Sequence, residues 1–89
     1  MFIGSTAGYS NTTGANNTAV GTAALYTNTT ASSNVAIGNY SAFPSTGANN
    51  VSVGDSSLRF NTSGAGNVAV GKSALFANTT ASNNTAVGH

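Results

Sequence analysis

Only four residues of this chain are acidic or basic, and they limit the chemistry that it can do. They are Asp55, Arg59, Lys72 and His89. Acid–base catalysis by paired carboxylates requires two acidic groups, and the chain has one. There is no cysteine, so a metal site would need three copies of His89 brought together around a threefold axis. The sequence therefore predicts no enzyme activity, no bound metal and no cofactor.

The charge balance also bears on partners. Charged residues make up 3% of the 89 residues and the net charge is +1, whereas about 25% is usual in soluble domains. The electrostatic field of so small a net charge is too weak to attract nucleic acid or anionic lipid. No apolar run is long enough to span a membrane, and no basic start followed by an apolar stretch marks a signal peptide. We expect no nucleic acid partner and no membrane span in this chain.

A five-residue motif that ends in glycine recurs along the whole sequence. It is written NTAVG, NVAIG, NVSVG, NVAVG and NTAVG, after a clipped MFIG at the start. The successive glycines are 17, 17, 16, 17 and 17 residues apart. Such a period is typical of stacked repeats. We divide the single domain into coils 1–16, 17–33, 34–49, 50–66 and 67–83 and a partial coil 84–89. The motif glycines are Gly4, Gly21, Gly38, Gly54, Gly71 and Gly88.

The composition of one repeat predicts strands and turns. Seventeen residues are too few for two helices with their turns, and the motif alternates and is rich in Val and Ile. We expect a short strand, a glycine corner, a second short strand near SALF (residues 73–76) and a return through an NTTASN-like turn. The fold class predicted is all-β, a parallel β-solenoid (β-roll) of about five 17-residue coils. Its strands would lie about 4.8 Å apart and six of them would span roughly 25 Å.

Stacking would turn sequence positions into columns. The residue before each glycine is β-branched and would point to one face of the strand, while the small residue before that would point to the other. Leu25, Leu58 and Leu75 would form a second apolar column, which weakens to Gly8 and Ala42. The residues before the glycines form the valine column, which comprises Ile3, Val20, Ile37, Val53, Val70 and Val87. The asparagines that begin the motifs form an asparagine ladder, which we expect to couple the coils. The ladder comprises Asn17, Asn34, Asn50, Asn67 and Asn84.

The same register places the charged residues. Asp55 would lie one coil below Lys72, and the two would attract each other at the surface. Five residues after each glycine comes an aromatic column, in which Arg59 would lie between Phe43 and Phe76 and contact their rings. A triad of Asp55, His89 and a serine is not expected, because two coils would separate the first two. The aromatic column comprises Tyr9, Tyr26, Phe43, Arg59 and Phe76, and we interpret it as a packing ladder with surface contacts, the alternative being sugar stacking.

The return segments raise two further possibilities. Asn11, Asn28, Asn61 and Asn78 begin NTT or NTS sequons, and an outward turn would leave room for glycans there. Pairs of threonines repeat in the same segments, which would suit an ice-binding array. The series of threonine pairs is interrupted at residues 45–46 and 62–63. We therefore expect that the Asn and Thr residues of the return segments are simply the polar residues of exposed loops.

The repeats resemble the head domains of trimeric autotransporter adhesins, left-handed parallel β-rolls built around an NTAVG-like strand. The resemblance covers essentially the whole chain, although those heads repeat nearer fourteen residues. Similar arrays occur in phage and bacterial fibre proteins. The resemblance implies an intertwined or side-by-side homotrimer, outside the cell, on the cell surface or in a virion fibre, with a host surface or extracellular matrix ligand. A core of Ala, Val and one Leu per coil is thin against the entropy cost of folding, which also favours assembly. Bare strands at both ends suggest end-to-end stacking into a filament or a section of a longer fibre.

Overall fold

The computed structural model of the protein describes residues 1–88, and these form an all-β solenoid of about five turns with no helix. Each coil contributes one short strand to a single parallel sheet, in which the strands follow chain order. The predicted fold class is confirmed at this level. The strands are β1 (Phe2–Ile3), β2 (Thr18–Val20), β3 (Val35–Ile37), β4 (Val51–Val53), β5 (Val68–Val70) and β6 (Thr85–Val87).

The predicted register of the strands is confirmed throughout the sheet. Val20 pairs with Ile37, Ile37 with Val53, and Val53 with Val70, although coil 34–49 is one residue shorter than its neighbours. The longest dimension is 28 Å, close to the expected height of six strands. Each member of the valine column therefore lies directly above the one before it.

The interior is narrow and filled by small side chains. Ala19, Ala36 and Ala69 are fully buried at the centre of their strands. Leu25 and Leu58 pack against them and are the only large apolar side chains that are fully buried. This thinness follows from the phase of the strands, because side chains alternate between faces and only the middle residue of each three-residue strand points inward.

The segment after the glycine corner differs from the prediction. The expected second strand near SALF is absent, and residues 73–76 form turns, as do the equivalent residues of the other coils. Alternate residues there have positive φ, for example Ala23 at 58° and Leu25 at 53°. Ala23 N bonds Ser5 O of the preceding coil at 2.9 Å, and Leu25 N bonds Ser41 O of the following coil at 3.0 Å. The segment thus keeps the pairing between coils without the extended backbone of a strand.

The motif glycines are required for both conformation and space. Gly21 has φ +126°, and a Cβ built on it would lie 2.7 Å from the carbonyl carbon of Gly38 in the next coil. Residues with a side chain rarely adopt this backbone conformation. The corner therefore accepts only glycine wherever another coil is stacked on it.

Candidate functional site

The asparagine ladder forms as predicted and connects every pair of adjacent coils from 17 onward. The Oδ1 atom of Asn17 accepts a hydrogen bond of 2.9 Å from the backbone N–H of Asn34. Asn50 and Asn67 continue the series with the same distance. The side-chain amides of Asn17, Asn50 and Asn67 donate in turn to carbonyls of the return segment, each at 2.9 Å. The ladder is a structural element, because its central members are buried.

The asparagines of the NTT and NTS sequons also face inward, so the prediction that a glycan would fit on this series is wrong. Asn28 and Asn61 are fully buried. Asn28 Nδ2 donates to Ala31 O at 3.0 Å and to Asn11 Oδ1 at 3.1 Å, and Asn78 Nδ2 donates to Asn61 Oδ1 at 2.8 Å. The side-chain amide that a glycan would modify is therefore already hydrogen-bonded within the solenoid.

The short coil interrupts this inner column of amides. Ser45 occupies the place that asparagine holds in the other coils, and its Oγ accepts from Asn61 Nδ2 at 3.0 Å. The shorter side chain makes no hydrogen bond to the coil before it. The buried Asn28 Oδ1 is therefore left without a partner, and the buried Asn34 Nδ2, at the start of the short coil, also has none within residues 1–88. Buried polar atoms without partners cost free energy, so the join between coils 17–33 and 34–49 is a weak point.

Replacing Ser45 with asparagine is expected to stabilise the fold. The new amide would donate to Asn28 Oδ1 and its oxygen would still accept from Asn61, so a gain of about 1 kcal/mol in the free energy of unfolding is expected. Ser45→Ala is the matched control and should destabilise, because Asn61 Nδ2 would lose one of its two acceptors and keep only Gly64 O. Urea denaturation of both variants measures the difference. A destabilising Ser45→Asn would show that the space beside Asn28 is too small for the amide.

Three buried serines form a hydroxyl cluster within the core. Ser41 Oγ lies 2.6 Å from Ser52 Oγ and 3.3 Å from Ser57 Oγ, and Ser52 Oγ also bonds Ser57 O at 2.8 Å. Ser52 belongs to a strand, whereas Ser41 and Ser57 belong to the turn segment, so these two segments face each other across the core. All three side chains are fully buried. The cluster ties the short coil to the next one and is closed to substrates.

The outer face of the sheet is apolar and uncovered. The valine column points outward along its whole length, and Ile37 is 38% exposed at the middle of the sheet. A second column of outward residues runs beside it, half-buried in the interior coils. Contiguous apolar surface of this kind is typical of an interaction site. This second column comprises Thr18, Val35, Val51, Val68 and Thr85.

The aromatic column forms a ridge of stacked rings. Tyr9 and Tyr26 are nearly parallel, with ring centroids 5.0 Å apart, and Tyr26 stacks on Phe43 at 5.1 Å. Farther along, Phe60 and Phe76 meet edge to face at 4.9 Å. The stacked faces point along the solenoid axis and are occupied by neighbouring rings. This arrangement supports the interpretation of a packing ladder.

Arg59 connects the two parts of the ridge. Its guanidinium carbon lies 4.6 Å from the ring centroid of Phe43, which confirms the expected contact. The expected contact with Phe76 is replaced by Tyr40 and Phe60, each at 4.8 Å. Neither residue was predicted, because Phe60 lies one position after the aromatic column and Tyr40 three positions before it, where other coils have mostly small or polar side chains. The signal that could have found them is the register: Phe60 directly follows the single arginine, and Tyr40 lies one coil earlier, near Phe43.

The ion pair expected between Asp55 and Lys72 is not made. Both side chains are exposed, and Ser73 N bonds Asp55 O at 2.9 Å, so the two coils are in the expected register. Within residues 1–88, however, no acidic and basic groups approach to 4.0 Å. Long exposed side chains gain little by pairing in water.

The threonines of the return segments lie outside the solenoid. The missing residue of the short coil lies just after Thr46, so Thr46 stays in line with Thr29 and Thr62 and the column is not interrupted there. Thr12 Oγ1 and Thr46 Oγ1 donate to carbonyls of the next coil, at 3.2 and 2.9 Å. This threonine column comprises Thr12, Thr29, Thr46, Thr62 and Thr79, all exposed. Because hydroxyls are used within the stack and the segment is a turn, a flat water-ordering array is not favoured.

Residues 1–88 contain no pocket and no group of three or more His, Cys, Asp or Glu side chains. The same part of the chain has no helix of the length and apolarity needed to cross a bilayer. The expectations about His89, a threefold metal site and a triad with Asp55, concern a residue outside the described range. The candidate functional surfaces are therefore the outer sheet face and the aromatic ridge.

Comparison of the chain with protein-family models, with curated proteins and with solved structures finds no match. The likeness to adhesin heads thus depends on the repeat motif alone.

Proposed function

We propose that this chain is a structural and adhesive segment of an extracellular fibre, which assembles as a homotrimer through the outer face of its sheet. The observation that carries the proposal is the uninterrupted valine column on that face, exposed at Ile37 in the middle of the sheet. Two adjacent columns of mostly β-branched residues form a straight apolar strip along the solenoid axis. A strip of this shape fits a second copy of itself, because every coil offers the same surface at the same spacing.

The contents of the core support assembly. Apart from Leu25 and Leu58, the largest fully buried side chains are asparagines and serines. Hydrophobic stabilisation grows with the apolar area that is removed from water, and this core removes little. If a second copy of the chain covered the valine column, apolar area that one chain leaves exposed to water would become buried. Three chains, each using one strip, would enclose the strips around a common axis, as the resemblance to adhesin heads implies.

The adhesive part of the proposal concerns the outer surface of such an assembly. The aromatic ridge lies across the core from the strands, so a trimer formed through the sheet would leave the ridge exposed. The partners proposed are further copies of this chain, end to end, and a ligand on a host surface or in the extracellular matrix. A phage-type tail fibre is the alternative within the same class, since it would use the same coils.

Replacing Ile37 with lysine tests the assembly. The ammonium group would lie in the middle of the proposed interface, where burial of an unpaired charge is costly. The unmodified chain is expected to sediment as a trimer and Ile37→Lys as a monomer. Thr46→Lys, on the exposed threonine column, is the matched control and should remain trimeric. A monomeric unmodified chain would contradict the proposal.

Electron microscopy of the purified protein distinguishes the forms of assembly. Long fibres would favour end-to-end stacking, and discrete short rods with threefold symmetry would favour a passive section of an adhesin or tail fibre. Dispersed particles the size of one chain would contradict both.

A further inference from the structure

Arg59 is a cation without an anionic partner among residues 1–88. The ring centroids of Phe43, Tyr40 and Phe60 lie 4.6 to 4.8 Å from its guanidinium carbon. Within residues 1–88 its guanidinium N–H groups donate no hydrogen bond, and no acidic group approaches within 4.0 Å. The arginine is half-buried, so aromatic carbon replaces part of its water. Its charge is held in place but not neutralised.

The guanidinium group of Arg59 still carries N–H donors that make no hydrogen bond within residues 1–88. Rings stack on the faces of a guanidinium, whereas its five N–H donors point outward within its own plane. A planar fork of this kind binds a carboxylate through two parallel hydrogen bonds. The rings also restrict the rotamers of the arginine, so less entropy is lost when a ligand binds. Arg59 is thus prepared for an oxyanion that approaches from the solvent side.

The surroundings of Arg59 indicate what carries the anion. Tyr40 and Phe60 are 41% and 45% exposed on either side of it, and Tyr9 is 66% exposed farther along the ridge. Their exposed rims offer apolar contact, and the tyrosines add hydroxyl groups that can donate and accept. Residues 1–88 form no pocket, so a ligand would have to lie along the ridge. Sugar rings combine C–H surface with hydroxyl groups, and uronic acids add one carboxylate to each residue.

We propose that Arg59, with Tyr40 and Phe60, binds the carboxylate of an acidic saccharide. This inference rests on the adhesive part of the proposed function and names its ligand class. It is independent of the trimer, because the ridge and the sheet face are separate surfaces.

The test uses the full chain, titrated with sodium glucuronate, glucose or sodium acetate and followed by NMR. Arg59 is the only arginine, so a single Nε–Hε signal reports on the site. Glucuronate is expected to shift this signal and the ring signals of Tyr40 and Phe60, saturably and at lower concentration than acetate or glucose. Equal responses to glucuronate and acetate would overturn the saccharide assignment, and the absence of a saturable shift would overturn the site.

Three variants refine the test. Arg59→Gln removes the charge and should weaken glucuronate binding by roughly tenfold or more, and Arg59→Lys should also weaken it, because an ammonium lacks the planar fork. Lys72→Gln removes the other basic side chain and should leave the affinity unchanged; equal loss in this control would show a general charge effect and overturn the site. Sedimentation of the same samples measures their oligomeric state. A loss of glucuronate binding in a sample that remains trimeric would therefore count against the Arg59 site and not against the trimer.

Discussion

Replacing Gly38 with alanine is expected to lower the free energy of unfolding by at least about 3 kcal/mol. The residue has φ +128°, and a Cβ there would lie 2.5 Å from the carbonyl oxygen of Gly54 in the next coil. Backbone strain and a clash between coils therefore act together. Because β3 pairs with strands on both sides, the coils cannot separate at this point without dividing the sheet. Urea denaturation followed by circular dichroism measures the loss.

Gly66→Asn is the matched control for this substitution. Gly66 has φ +67°, and the residues that take its place in the other coils are Asn16, Ser33, Asn49 and Asn83, with φ between 60° and 63°. Asparagine tolerates this left-handed conformation. The nearest atom to a Cβ there, Asn83 Oδ1 at 2.6 Å, ends an exposed side chain that can move, so a change within about 0.5 kcal/mol is expected. Equal effects of the two substitutions would show that close stacking of the corner glycines is not what constrains them.

Asn50→Ala is expected to destabilise the fold by about 3 kcal/mol or more. The side chain is 1% exposed. Its Oδ1 accepts from Asn67 N at 2.9 Å, and its Nδ2 donates to Gly64 O at 2.9 Å. Truncation would leave Asn67 N–H and Gly47 O without partners in the interior, whereas Gly64 O would keep its bond from Asn61 Nδ2. Each buried group left unpaired costs about 1 to 3 kcal/mol. Thermal and urea denaturation of the variant, compared with the unmodified chain, measure this loss.

Two variants sharpen the test of the ladder. Asn84→Ala should cost less, because Asn84 is only half-buried. Asn50→Asp keeps the acceptor but directs a carboxylate oxygen at the carbonyls of Gly47 and Gly64. Burial favours the neutral acid, so the stability of this variant should rise as the pH is lowered through the range in which the carboxyl group binds a proton. A pH-independent Asn50→Asp variant would contradict the burial of this amide.

The sequence was sufficient to predict the solenoid, the register, the valine column and the asparagine ladder. Each depends on a property that repeats every coil: the glycine corner, the β-branched residue before it and the asparagine at the start of the motif. In a stacked fold such positions must coincide, so the period fixes the pairing of Val20 with Ile37 even across the short coil.

The turn segments were less predictable. Ala23 and Leu25 adopt positive φ, which local preference disfavours, because pairing with the coils on either side determines their backbone. For the same reason the NTT asparagines turn inward, where the turn carbonyls need donors, although asparagine is usually exposed. Sequence preference describes a residue in isolation, whereas in this fold the neighbouring coil determines the backbone conformation and the direction of the side chain.

The surfaces proposed as functional were predictable in part. The valine column and the contact of Arg59 with Phe43 followed from register. The contributions of Tyr40 and Phe60 did not, because they depend on where long side chains reach from neighbouring positions. The failure of Asp55 and Lys72 to pair has the same origin, since register brings backbones together but does not determine exposed side-chain rotamers.

The coil-on-coil stacking is tested most directly by methyl NMR on the unmodified protein. Nuclear Overhauser effects are expected between the methyl groups of Val20 and Ile37, of Ile37 and Val53, and of Val53 and Val70. Val20 and Val53, two coils apart, should show none. Absence of the first three contacts, or their replacement by contacts between residues of different columns, would contradict the solenoid and with it both proposed surfaces.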